Sequence, residues 1–249
     1  PDEPPPYRVI EGLPASPFLL TCDHAGRRIP ERLGNLGVPE SELQRHIAWD
    51  LGAAELATLL SQQLGGFLIT QTYSRLVIDC NRPLDVKSSI PELSEATPIP
   101  GNRGLSKHDA EQRATAIFHP YHARIERELA RRQALGVPTI YVAVHSFTPR
   151  YLNVDRPMHA GVLYGADSRF ARQVLERLRA DGQYVIGDNE PYRVSAATDY
   201  GAIQHAERRN LLYVELEIRQ DLLADEAGRQ AWASLLASAL IDAAGVTSR

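Results

Sequence analysis

Thiols are scarce in this chain: Cys22 and Cys80 are the only two among 249 residues. Each closes an apolar run, Phe18 to Cys22 and Leu76 to Cys80, which suits buried, reduced sulfurs and argues against a disulfide-stapled secreted scaffold. Long hydrophobic runs are lacking too. No stretch reaches the ~20 apolar residues of a membrane helix, and the first residues are proline-rich and acidic where a signal peptide is basic and then apolar. Nor is there a surplus of positive charge: 27 Lys and Arg against 31 Asp and Glu leave a net −4, which gives no general grip on nucleic-acid phosphates. The expectation is a cytoplasmic protein with neither nucleic-acid nor membrane partners; oligomeric state is not written in the sequence.

The familiar chemical signatures are also missing. There is no Gly-rich phosphate loop, no G-x-S-x-G elbow, no H-E-x-x-H helix and no C-x-x-C pair, so nucleotide and serine-hydrolase chemistries lose ground. What is present is an ordinary globular composition, 43% hydrophobic and 23% charged. Residues 1–17 are proline-rich and read as an extended lead-in, with a single domain over 18–249. Short apolar runs then alternate with helical patterns, the mark of an α/β sheet covered on both faces. Strands are expected at about 18–23, 67–72, 75–80, 138–145, 160–164, 183–187 and 211–218. Leu51, Ala54, Leu56, Leu59, Leu60 and Leu64 repeat at helical spacing before Gly65-Gly66. Ser106 and Asp109 open a long helix running to about Leu135, which Pro120 should kink or split in two. Further helices fit 168–180, 200–208 and 225–244. The stretch from Arg82 to Lys107, with four prolines and little apolar content, reads as a functional loop such as a lid, or as plain surface.

Polar residues stand where several apolar strands run out, and in open α/β sheets that edge is where ligands bind. Phe18-Leu-Leu-Thr-Cys delivers Asp23 and His24 to a glycine turn, and Thr139-Ile-Tyr-Val-Ala-Val delivers His145. Two such imidazoles begin a zinc site or are hydrogen-bonded structural histidines. In Leu211-Leu-Tyr-Val-Glu-Leu-Glu-Ile-Arg, alternation puts Glu215, Glu217 and Arg219 on one face, either as an ion pair or as working carboxylates. Arg75, Asn81 and Arg82 flank Leu76–Cys80. The guanidinium forks of Arg75 and Arg82 suit an acidic ligand, and a salt bridge from Arg75 to Asp79 or Asp85 is the alternative.

These residues sit in seven ordered motifs: Leu20-Thr-Cys-Asp-His-Ala-Gly, His46-Ile-Ala-Trp-Asp-Leu-Gly, Ser74-Arg-Leu-Val-Ile-Asp-Cys-Asn-Arg-Pro, His119-Pro-Tyr-His, Val144-His-Ser-Phe-Thr-Pro, Gly187-Asp-Asn-Glu-Pro-Tyr and Glu217-Ile-Arg-Gln-Asp-Leu. In these the chain resembles the N-formylglutamate amidohydrolase family across nearly its whole length. The resemblance implies a three-layer α/β/α fold with a mixed, mainly parallel sheet like that of zinc carboxypeptidases. It implies Zn2+, or another divalent transition metal, on His24, Asp50 and His145, with Asp50 alternatively the N-cap of the helix that follows. Glu217 becomes the catalytic base and Glu215 a supporting residue. Asn81 and Arg82 would hold a carboxylate, with Arg75 and Arg219 as helpers; His122 or an arginine would steady the oxyanion, the alternative being a local structural pair of His119 and His122. The substrate implied is a small N-acylated acidic amino acid, N-formyl-L-glutamate first. A peptide or cell-wall amide, and a non-catalytic module holding an acidic metabolite, are the competing readings. The better-characterised branch opens with Pro-His-Ser-Gly where this chain has Asp23-His24-Ala25-Gly26, so the departure lies beside the metal histidine.

Overall fold

The computed structural model describes residues 3–180 and 182–245. Seven strands form one sheet: β1 (Tyr7–Ile10), β2 (Phe18–Cys22), β3 (Phe67–Gln71), β4 (Ile140–Phe147), β5 (Ala160–Leu163), β6 (Ile186–Asp188) and β7 (Leu212–Arg219), in spatial order β1-β3-β2-β4-β7-β5-β6. Strands β3, β2, β4 and β7 run parallel, β1 is antiparallel to β3, and β5 is antiparallel to β7 while parallel to β6. Strands β2 and β4 are buried at every position, as expected of central strands covered on both faces.

Among the described residues five helices have seven residues or more: α1 (Ala53–Leu64), α2 (Lys107–Arg113), α3 (His119–Ala134), α4 (Arg169–Arg179) and α5 (Glu226–Ala243). Helices α1, α4 and α5 pack side by side on one face. On the other, Tyr141 and Thr21 share a hydrogen bond of 3.0 Å, and Tyr141 lies near His205 of a π-turn at Ala202–Ala206. Alternation along β4 and β7 then assigns His145, Glu215 and Glu217 to the face of Tyr141. The cap expected at Ser106 is formed, and Asp225 caps the last helix in the same way, each oxygen accepting from a backbone amide three residues on. The break expected at Pro120 appears as a π-segment, Ala114–Phe118, with the proline in the first turn of α3.

Two expectations fail. The apolar run at 75–80 forms no strand, although Leu76, Val77 and Ile78 are buried. Its carbonyls are answered by side chains: Asn102 Nδ2 donates to Leu76 O at 2.8 Å and Arg113 Nη1 to Val77 O at 2.9 Å. With those groups satisfied, burial needs no ladder. Conversely, the lead-in contributes β1, whose residues alternate between half-buried and exposed as an edge strand's do. The two cysteines are free and buried. Among the described residues no helix is long and apolar enough to cross a membrane.

Candidate active site

Strands β2, β4 and β7 lie together and three polar segments leave their carboxyl ends at one edge. β2 hands over Asp23 and His24 in a turn whose tightness depends on Gly26: a Cβ there would lie 2.1 Å from the Thr72 carbonyl oxygen. Glu217 of β7 is in register with His145 of β4. Asp50 joins them through a bond from its backbone amide to His24 O at 2.9 Å. Helix α1 begins only at Ala53, with Gly52 at its N-cap and no side-chain cap. The Asp50 carboxylate therefore does not cap the helix and is turned to the histidines, with Oδ2 2.9 Å from His145 Nδ1 and 3.4 Å from His24 Nδ1.

His24, Asp50 and His145 are each buried and offer ligand atoms that all lie within 4.8 Å of one another. His24 Nε2 faces Asp79 Oδ1 at 2.7 Å, so that nitrogen donates and Nδ1 of the neutral ring carries the lone pair. Nδ1 is buried without a hydrogen-bond partner and faces another acceptor, Asp50 Oδ2. Two acceptors opposed in a buried site repel unless a proton or cation lies between them. Ligands ~2.0–2.2 Å from a tetrahedral zinc stand roughly 3.3–3.6 Å apart, close to the His24–Asp50 separation. The donor set fits a divalent metal.

The surroundings stiffen this cluster. Asp79 also accepts from Arg75 Nε and Nη2 at 3.1 and 2.8 Å and from the Asn81 amide at 2.9 Å. Behind His145, Nε2 stands 3.8 Å from Asp23 Oδ2, and the other Asp23 oxygen accepts from the Tyr121 hydroxyl at 2.5 Å. Burial works against ionisation of Asp50, but His24 and His145 outweigh it and hold the carboxyl well below the usual range. For His145, burial is outweighed by Asp50 and the strand glutamates, which push the imidazole up. Burial pushes the Glu217 carboxyl up to about 8, His145 pulling it partly back, and Glu217 Oε2 has no hydrogen-bond partner. Glu215 is buried alike and raised by burial and then Asp199.

These groups open into a cleft of about 630 Å³, whose walls include Asn81, Arg82, Tyr151, Tyr192, and Ser94 and Glu95 of a small hairpin that pairs Leu93–Ser94 with Thr97–Pro98. Residues 16–224 match the family model described as N-formylglutamate amidohydrolase. The chain belongs to that family. This amidohydrolase-family chain is similar to N-formylglutamate deformylase of Pseudomonas putida, 29% identical over 164 residues, with 60% of this chain and 60% of that protein covered. It thus spans about 60% of the length of that curated relative. A crystal structure of a gene product of Agrobacterium tumefaciens is similar with TM-score 0.94 and 36% identity, covering 97% of this chain and 96% of that one. An N-formylglutamate amidohydrolase from Ralstonia eutropha JMP134 shares the fold, at TM-score 0.71 and 20% identity over 97% of this chain and 98% of that one.

In this member of the N-formylglutamate amidohydrolase family the sequence-derived residues divide into two groups. His24, Asp50, Arg75, Asn81, Arg82, His145, Glu215 and Glu217 all line the cleft; His122 and Arg219 do not. His122 is buried between helices, its Nε2 donating to Cys80 O at 2.9 Å and its Nδ1 2.8 Å from His205 Nε2. Arg219 is engaged by Asp221 at 2.8 Å, where alternation alone would have aimed it with the glutamates. Arg75 reaches the cleft wall but spends its guanidinium on Asp79 and Asp50, the salt bridge that was its alternative reading. Tyr192 enters the sequence reading only as the last residue of the Gly187-Asp-Asn-Glu-Pro-Tyr motif, and neither it nor its cleft neighbour Arg193 lies in a segment with apolar periodicity. The loop after Arg82 contributes Ser88, Pro91, Leu93, Ser94 and Glu95 to the cleft, so it is a wall of the site and not plain surface.

Proposed function

We propose that this chain is a metal-dependent amidohydrolase that cleaves the amide of a small N-acylated acidic amino acid, with N-formyl-L-glutamate the first candidate and zinc the first candidate metal. The observation that carries the proposal is the buried, opposed pair of acceptors, His24 Nδ1 and Asp50 Oδ2, with Glu217 in register beside His145. His24, Asp50 and His145 would hold the cation. A divalent cation bound there supplies Lewis acidity, lowering the pKa of a coordinated water and withdrawing charge from an amide carbonyl.

The chain's own residues do the rest. Glu217, whose buried carboxyl stands at about 8 without a cation and would be drawn lower by one beside His145, is suited to take a proton from the attacking water and return it to the amine nitrogen as the C–N bond breaks. The new C–O bond leaves formate from a formyl substrate and L-glutamate as the amine product. Asp79 fixes the ring of His24, and Arg75 fixes Asp79. On the amine side, Asn81 and Arg82 would receive a carboxylate. Arg82 Nη1 is tied to the Asn81 and Thr198 carbonyls, and Asn81 Oδ1 to the Gly201 amide at 3.0 Å, so both side chains are held in place.

The test is release of free amine from N-formyl-L-glutamate and a panel of N-acyl amino acids by zinc-loaded protein. Glu217→Gln is expected to keep its metal and lose turnover by on the order of 10³-fold, the upper part of the usual range for a general base. A fully active Glu217→Gln variant alongside an inactive Glu215→Gln variant would transfer the base to Glu215. Absence of divalent metal from protein purified without chelator, with no activity on adding zinc, would overturn the enzyme reading.

A further inference from the structure

An acidic N-acyl amino acid carries two carboxylates, and the cleft must answer both. Its lining contains three arginines, Arg75, Arg82 and Arg193, and no lysine. Arg75 is committed to Asp79 and Asp50. Arg82 has Nη1 bound to two backbone carbonyls and can offer one remaining edge. Arg193 makes no hydrogen bond or ion pair with any described residue.

The acidic side chains of the cleft do not reach it. Glu95 pairs with Arg45, and Asp199 accepts from the Ser195 amide and the Thr198 hydroxyl. Glu215 and Glu217 are buried in the floor, and Asp50 and Asp79 belong to the histidine cluster. The base of Arg193 is nevertheless fixed on both sides. Tyr192 Oη accepts from Arg156 Nη1 at 2.8 Å, and the same guanidinium stacks on the Tyr151 and Tyr192 rings, both centroids 4.8 Å away. Val194 is buried, and the Ser195 amide is tied to Asp199 at 2.8 Å. A guanidinium on an anchored backbone at the wall of a ligand cleft, without an internal anion, is ready to pair with an incoming one.

We propose that Arg193 is a specificity-determining residue that receives the second carboxylate of a dicarboxylic substrate, while Asn81 and Arg82 receive the first. The inference rests on the functional reading above and names the substrate class within it: N-acyl amino acids with an acidic side chain, in preference to those with a neutral one.

Steady-state kinetics of the metal-loaded full chain separate the two carboxylates. N-formyl-L-glutamate is compared with N-formyl-L-norvaline, whose side chain has similar length and no charge. In Arg193→Gln, kcat/KM for the glutamate derivative is expected to fall on the order of tenfold or more, with the loss carried by KM, as for a charge-assisted contact made equally in ground and transition states. The norvaline derivative should not share this loss, and Arg193→Lys should recover part of it. An unchanged KM for N-formyl-L-glutamate, or an equal loss for both substrates, would overturn the role. Calorimetry with glutarate and butyrate provides a reading independent of turnover. A preference of the parent protein for glutarate that Arg193→Gln abolishes supports Arg193 even if no amide is hydrolysed, which would count against the hydrolase alone. No preference in the parent protein overturns the Arg193 assignment.

Discussion

Asp79 joins three parts of the site through one carboxylate: the ring of His24, the guanidinium of Arg75 and the backbone amide of Asn81. Burial opposes its ionisation, but Arg75 and then His24 prevail and keep the carboxyl well below its ordinary range. Asp79→Asn keeps the volume and replaces one acceptor oxygen with a donor, so His24 and Arg75 can no longer both be satisfied. We expect metal affinity to fall by about 10–100-fold, the usual cost of losing a carboxylate behind a ligating histidine, read by competition with a chromogenic chelator. Unaltered affinity would mean that Asp79 serves only to neutralise Arg75. Arg75 shows why residue roles were only half legible: its sequence neighbourhood suited an acidic ligand and an internal salt bridge equally. The choice between them depends on Asp50, which is 25 positions away in the chain and 3.5 Å away in space.

At the scale of elements, the central strands are readable because a fully buried strand is a short apolar run bounded by turns, a form that β2 and β4 have and that β7 keeps on the face opposite its two glutamates. The run at 75–80 has it too, yet it is a buried loop. Local pattern reports that a segment is buried, whereas strand formation also depends on what answers its backbone groups, and here Asn102 and Arg113 arrive from the distant 100–113 region. Strand β1 is illegible for the opposite reason, since an edge strand with one solvated side and prolines before it lacks an apolar run. Asn102 donates to both Leu76 O and Pro91 O and accepts from Arg113 Nη1 at 2.7 Å. Asn102→Ala would leave the buried Leu76 carbonyl and the partly buried Pro91 carbonyl without this donor, at ~1–3 kcal/mol for each, while Arg113 keeps Val77 O and Gly101 O. The expected result is a drop of roughly 2–5 kcal/mol in denaturant unfolding, with refolded protein still binding metal through His24, Asp50 and His145. A change below ~0.5 kcal/mol would show that water replaces the asparagine and that the loop does not depend on it.

Across the whole molecule, the parallel arrangement of β2, β4 and β7 concentrates at one sheet edge what the interior otherwise excludes. His24, His145, Asp23, Glu215 and Glu217 are all buried, and each has a side-chain atom without a hydrogen-bond partner. Such a site costs folding free energy when its groups are left to repel one another, and a cation that binds only the folded chain offsets that cost. The stabilisation follows mass action, ~2.7 kcal/mol at a free metal concentration of 100 times Kd. For a chain of this size each kcal/mol moves Tm by roughly 2–4 °C, so removing metal with a chelator should lower Tm by about 5–10 °C, and adding zinc back should restore it. His24→Ala and His145→Ala should each abolish the response to both chelator and zinc, because a two-ligand remnant does not hold the ion at micromolar concentration. A zinc-dependent Tm that survives in both variants would place the metal elsewhere and remove the physical basis for assigning the base to Glu217.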